Sequence, residues 1–145
     1  MYIVFFNRSD KFVDGCTQLR SIQAVMQACD IAVVAILGGS DTHYIIDAPT
    51  LSALHLHTIL VNIARGDVID QTALIVALSA GQIAGAGLDV FEQEPEVPLA
   101  LKEMQNVTLL PHIGTSTLEA RLDMGVMAVA NLIALAAGHD LPNQV

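Results

Sequence analysis

Five short runs of apolar, largely β-branched residues punctuate this chain, and segments of helical period separate them. The runs are "YIVFF" (2–6), "DIAVVAIL" (30–37), "TILVNI" (58–63), "AGAGLDV" (84–90) and "VTLL" (107–110). Their apolar residues are continuous and do not alternate with polar ones, which predicts strands covered on both faces of a parallel sheet. Between them, "RSIQAVMQACD" (20–30) places Ile22, Val25 and Met26 on one helical face. "DQTALIVALSAG" (70–81) opens on Asp70 as an N-cap and closes at Gly81. "STLEARLDMGVMAVANLIALAAG" (116–138) reads as one long helix, capped by Ser116 or Thr117, with Glu119 in its first turn. Strand–helix alternation of this kind predicts an α/β fold with right-handed crossovers in an open sheet.

A length of 145 residues suits one domain with a real core. Only 14% of the residues are charged and 53% are hydrophobic, yet no uninterrupted apolar run approaches the roughly 18 residues of a membrane helix. The opening "MYIVFFNRSD" lacks the basic n-region and small-residue cleavage site of a signal peptide. Cys16 and Cys29 form no C-x-x-C pair and read as reduced thiols, which points to the cytoplasm. A net charge of −9 without a basic stripe argues against nucleic acid and against an anionic membrane surface. His55 and His57 in "HLH" have no cysteine or carboxylate at ligand spacing, so no metal is expected there. His43 and His139 read as surface residues.

In open α/β sheets, ligands bind beyond the carboxyl ends of the strands. The residues just past each run therefore carry the most information. They are Asn7, Arg8 and Ser9; then Gly38, Gly39 and Ser40; then Ala64, Arg65 and Gly66; then "FEQEPE" with Glu92, Glu94 and Glu96; then Pro111, His112, Ile113 and Gly114. One sheet edge thus gathers Arg65, Asp89, Glu94 and His112. A guanidinium offers a flat fork that fits a carboxylate. An imidazole titrates near neutrality and suits proton transfer. Glu92 and Glu96 read as solvated loop charges, and Asp89 as a strand-end cap.

These residues also carry a family resemblance. "ILVNIARGDVID", "AGQIAGAGLDVFEQEP" and "NVTLLPHIGTSTLEARLDM" resemble the second half of a D-isomer-specific 2-hydroxyacid dehydrogenase, over nearly the whole chain. "VFEQEPEVPLAL" and "GHDLPNQV" are most similar to the glyoxylate/hydroxypyruvate reductase branch. The resemblance implies a Rossmann-like doubly wound parallel sheet, a homodimer, and a hydride transfer between NAD(P)H and a small 2-oxo acid. It implies that Arg65 binds the substrate carboxylate, that His112 gives or takes the proton, and that Glu94 holds that imidazole. It further implies a cofactor surface of Arg8, Ser9, Leu37, Gly38, Ile63, Ala64, Arg65, Asp89, His112 and Gly114, with Asp89 at the nicotinamide carboxamide. NAD enzymes place an acid at the end of the second strand. Arg8 and Ser9 stand there in this chain and suit a 2′-phosphate, so NADP is favoured over NAD, although Asp10 is near enough to serve the ribose.

Two departures from the family pattern stand out. Where a proline usually follows the "AVVAIL" strand, Leu37 runs into Gly38 and Gly39. The G-x-G-x-x-G fingerprint is absent. "GAGLDV" lacks its third glycine and follows a helix instead of preceding one, so its glycines read as close packing near the cofactor. The expectation is a partial dinucleotide-binding domain over 1–145, with its C-terminal helix, lacking the first strand, the phosphate loop, the first helix and the substrate domain. In the usual strand order 3-2-1-4-5-6 the missing strand separates "YIVFF" from "IAVVAIL". A non-catalytic remnant or a cofactor-sensing assembly module is the alternative to an enzyme.

Overall fold

The computed structural model describes residues 1–144 and divides into two compact units, Met1–Pro111 and the segment from His112 on. In the first unit four parallel strands lie side by side: β3 (Ile31–Val34), β4 (Ile59–Asn62), β5 (Gly85–Leu88) and β6 (Val107–Leu109). Their register pairs Ile31 with Ile59, Ile59 with Gly85, and Ala86 with Val107. A separate two-stranded parallel sheet joins β1 (Ile3–Phe5) to β2 (Cys16–Gln18), with Ile3 opposite Cys16. The two sheets are separate, and the strand order expected from the sequence places another strand between β1 and β3. β2 reads "CTQ", too short and too polar to show as an apolar run.

Buried Leu60 and Leu88 of the four-stranded sheet share one core with Leu51, Val68, Ile69, Leu74, Ile83 and Leu101. Those partners come from α2 (Ala48–Leu51), α3 (Gln71–Ser79), α4 (Leu99–Glu103) and the turns around them. Burial on both faces of every strand does not hold. β3 alternates, with Ala32 and Val34 buried but Ile31 and Val33 each 58% exposed, and Ile59 of β4 is exposed on the same side. The helices that contribute to this core bury one face of β3 and β4, and the other face stays open.

α3 obeys its local signals. The Asp70 carboxylate accepts from the Ala73 N–H at 2.9 Å, and Gly81 past its end has φ +66°. α1 (Ile22–Met26) is shorter than the 20–30 pattern. Ser21 caps it, but the chain leaves the helix at Gln27, whose carbonyl accepts from His55 Nε2 at 2.9 Å, and the Cys29 carbonyl accepts from Thr58 at 3.2 Å. Tertiary partners thus replace the last helical turn. α2 and α4 escape sequence detection because each is a single short turn entered through proline, at Pro49 and Pro98. Of the glycines in "GAGLDV", Gly85 permits the close packing expected of them. A Cβ on Gly85 would stand 2.5 Å from the Asn106 carbonyl oxygen, at the amino end of β5, so this glycine permits backbone approach away from the strand's carboxyl end.

The second unit is dominated by α5 (Leu118–Ala136). Thr117, not Ser116, is its cap: the Thr117 hydroxyl accepts from the Ala120 N–H at 3.2 Å, while the Ser116 hydroxyl accepts from Arg121 at 3.1 Å. Glu119 lies in the first turn and Gly138 ends the helix with φ +72°. Asn131 binds the returning chain through the Asn143 N–H at 3.1 Å. Among the described residues no helix is long and apolar enough to cross a membrane.

Candidate functional site

The loop that follows β4 is organised by one buried side chain. Asn62, 1% exposed, accepts from the Ala64 N–H at 3.0 Å and donates to the Arg65 carbonyl at 3.0 Å. The amide thereby fixes the turn that presents Arg65 outward. The Arg65 guanidinium donates to the Ala64 carbonyl at 2.7 Å, and its stem lies over Gly38, where a Cβ would come within 2.7 Å of Arg65 Cγ. The glycine at 38 therefore gives the arginine its resting place. Ala64 is buried, whereas Ile63 and Leu37 are exposed. The Ile63 N–H donates to the Val34 carbonyl and the Leu37 carbonyl accepts from Thr42.

The loop after β5 packs directly on this turn. A Cβ on Gly66 would fall 1.9 Å from the Phe91 carbonyl carbon and 2.3 Å from the Glu92 nitrogen. The Asp89 residue is buried and its N–H donates to the Asn62 carbonyl at 3.1 Å. Glu94 accepts from the Phe91 N–H at 3.0 Å, which orients its carboxylate within the loop. Glu92 is not the solvated charge expected from the sequence. It is half-buried, accepts from the Tyr44 hydroxyl, and its N–H meets Gln71 at 3.4 Å. Hydrogen bonding to Glu92 raises the Tyr44 phenol above its ordinary value, with smaller contributions from desolvation and from the nearby carboxylates of Glu92, Asp70 and Asp67. Glu96 is exposed, as expected.

The loop after β1 is held by β2. Gln18 donates to the carbonyls of Asn7 and Ser9, both at 3.0 Å, and accepts from the Lys11 N–H at 2.7 Å. Asn7 adds bonds to the Ser9 carbonyl and hydroxyl, each at 2.9 Å. Arg8 projects from this pinned turn and pairs with Asp41 at 3.5 Å.

The structure thus brings the Arg65 turn onto the Glu94 loop and Arg8 onto Asp41. His112, Ile113 and Gly114 open the second unit and are exposed, with His112 at φ +54°. His43 and His139 are exposed as expected. In the "HLH" segment a carboxylate does approach: His57 meets Asp30 at 2.8 Å, and the His55 and His57 rings stack at 5.4 Å. The chain separation of 27 residues hides that pair from any spacing rule. Among the described residues no cluster of three metal-ligating side chains forms. A groove of about 270 Å³ lies on the open sheet face, between Ile59, Val61, Gly87 and Thr108, and includes none of the candidate residues. Asn62, Tyr44 and Gln18 were missed by sequence reasoning, and Gly66 was noted only for its place after the strand. Of the three missed, only Asn62 leaves a trace there, as the polar residue that ends an otherwise apolar strand.

The sequence profile described as "D-isomer specific 2-hydroxyacid dehydrogenase, NAD binding domain" matches residues 1–114. The chain belongs to this family. Among curated dehydrogenases and reductases it is 42% identical over 139 residues to a hydroxyphenylpyruvate reductase of Plectranthus scutellarioides, covering 96% of this chain and 44% of the relative. It is 40% identical over 148 residues to a glyoxylate reductase of Pyrococcus furiosus, covering 100% of this chain and 44% of that protein. An NADPH-dependent glyoxylate/hydroxypyruvate reductase of Sinorhizobium meliloti, solved with NADP and malonate, superposes with a TM-score of 0.94 at 37% identity. That match covers 99% of this chain and 45% of the other. The chain therefore spans less than half the length of these relatives, and the fold it shares with them is the Rossmann-like α/β sheet of the 2-hydroxyacid dehydrogenases.

Proposed function

We propose that this chain is the nucleotide-binding part of an NAD(P)-dependent reductase of small 2-oxo acids of the glyoxylate or hydroxypyruvate kind, with NADP favoured. The observation that carries the reading is the seating of the Arg65 turn, through Gly66, on the loop that holds Glu94. Two strand-end loops that bear the motif residues are thereby packed together, backbone on backbone, where this fold binds ligands.

The residues present fit the two ends of a dinucleotide. The Gln18-pinned turn offers Arg8 and Ser9 to a ribose phosphate, and buried Asp89 with the turn of Leu37, Gly38, Ile63 and Ala64 offers a wall for the nicotinamide end. The sequence holds no G-x-G-x-x-G turn for the pyrophosphate. When bound, the cofactor supplies the hydride. Arg65 leaves the Ala64 carbonyl and grips the substrate carboxylate bidentately, fixing the carbonyl's angle. His112 donates a proton to the oxygen as charge builds there, and takes it back in the reverse direction. Glu94 takes the role of holding that imidazole, as the family resemblance implies. Gly114 leaves space beside the histidine. We further assign the protein to the cytoplasm, as a homodimer, from its half-buried unpaired thiols Cys16 and Cys29 and from the family resemblance.

The test is a hybrid in which this chain replaces the matching segment of the Pyrococcus furiosus glyoxylate reductase. Reduction of glyoxylate or hydroxypyruvate with NADPH is expected. A folded hybrid that binds NADPH but turns over neither acid defeats the assignment. A second reading is a non-catalytic assembly or cofactor-sensing module. That reading expects cofactor binding without turnover.

A further inference from the structure

The loops after β1 and β3 meet through one ion pair, and both partners stand on fixed backbone. Arg8 sits in the turn that Gln18 and Asn7 hold from both sides. Asp41 sits in the 3-10 turn Ser40–Thr42, which buried Thr42 anchors by donating its hydroxyl to the Leu37 and Gly39 carbonyls at 2.9 and 3.1 Å. The side chains are 70% and 76% exposed. An anion that approaches Arg8 therefore meets the Asp41 carboxylate already in place.

We propose that Asp41 is a specificity-determining residue that competes with a cofactor 2′-phosphate for Arg8 and so limits the preference for NADP over NAD. The proposal rests on the reading that Arg8 faces that phosphate. The physics is direct. A phosphate monoester carries nearly two negative charges at neutral pH. Asp41 stands against one end of the Arg8 guanidinium, so the phosphate either displaces it or shares the cation with it, and in both cases lies within a Debye length of that carboxylate. NAD, with a neutral ribose hydroxyl at that position, meets neither obstacle.

The test is a calorimetric titration of the hybrid reductase that carries this chain, with NADP and with NAD, at low and high salt. Removing an exposed competing pair is expected to raise the NADP-to-NAD affinity ratio about two- to fivefold in Asp41→Asn, less so at high salt. Arg8→Gln is expected to lower the ratio, and Asp41→Asn added to it is expected to bring a smaller gain than in the parent, because only the direct repulsion between carboxylate and phosphate is then relieved. If Arg8→Gln lowers the ratio while Asp41→Asn leaves it unchanged or lowers it, Asp41 is not a discriminator and the Arg8 reading stands. If Arg8→Gln leaves the ratio unchanged, the Arg8 reading fails and the proposal falls with it. Absence of measurable binding of either dinucleotide to the folded hybrid overturns both. Unchanged circular dichroism spectra of the unliganded variants show that each has kept its fold.

Discussion

Gly66 and Phe91 touch backbone to backbone: the position a Cβ would take on Gly66 lies 1.9 Å from the Phe91 carbonyl carbon. No flexible side chain is there to give way, so even one methyl group must push two loops apart. Gly66→Ala is expected to cost about 1–3 kcal/mol, the range for overpacking a well-filled site. The thermal midpoint should fall by several degrees at about 2–4 °C per kcal/mol for a chain of this size. In the hybrid reductase the same change should lower kcat, because it moves Arg65 relative to Glu94. A melt and turnover equal to the parent's would show that the loops are not coupled here.

Asn62 gives a sharper stability test. Its amide serves the Ala64 N–H and the Arg65 carbonyl from a fully buried position. Asn62→Ala strands both groups, and an unmet buried polar group costs about 1–3 kcal/mol. Asn62→Asp keeps the acceptor but loses the donor. The expected order of urea midpoints is parent, then Asp, then Ala. Equal midpoints for the parent and Asn62→Ala would mean that water substitutes for the amide.

Tyr44 supplies the pH dependence. Its phenol is raised above the ordinary value of 10 chiefly by the bond to Glu92. A group whose folded pKa is raised adds stability that is fully present below the unfolded pKa and is lost as pH rises through the folded one. Tyr44→Phe should therefore be less stable than the parent at neutral pH, and the difference should shrink above pH 10. Melts of both proteins from pH 7 to 11 measure it. A gap that stays constant across that range would remove the phenol–carboxylate bond from the account.

Much of this was legible because the signals are local. Asp70 and Thr117 announce their helices by chemistry that acts within one turn, and β4, β5 and β6 are short apolar runs bounded by polar turns. The family motifs led to Arg65 and Glu94 at two adjoining loops. What stayed hidden depends on distant partners. Glu92 looks solvated until Tyr44, 48 residues away, reaches it. Gln18 sits in a strand too short to recognise, yet it shapes the Arg8 turn. Exposure of Ile31 and Val33 depends on which elements cover the sheet, and a run of apolar residues reads the same whether one face or both are buried.

His112 is the residue on which the proposed chemistry turns. In the hybrid, His112→Ala is expected to lower kcat by about 10²–10⁴, the usual contribution of a general acid or base. Arg65→Ala should raise KM for the oxo acid most, and Glu94→Gln should lower kcat with less effect on KM. Near-parental turnover in His112→Ala would take the histidine out of the mechanism.

The isolated chain carries its own prediction in the edges of β1 and β3. Each pairs with a neighbour on one side only, β1 with β2 and β3 with β4. β3 also presents Ile31 and Val33, each 58% exposed, beside exposed Ile59. A parallel edge with unpaired backbone groups and an apolar face is a template for another strand. Edge pairing between copies satisfies those groups and covers that face at once. The 145-residue chain is therefore expected to self-associate at micromolar concentration. Ile31→Lys and Val33→Lys place charges on the edge strand and should shift the population toward monomer. Light scattering across a dilution series measures this. A monodisperse parent chain with a cooperative melt would show that β1 and β3 are sealed in solution by something other than a second copy.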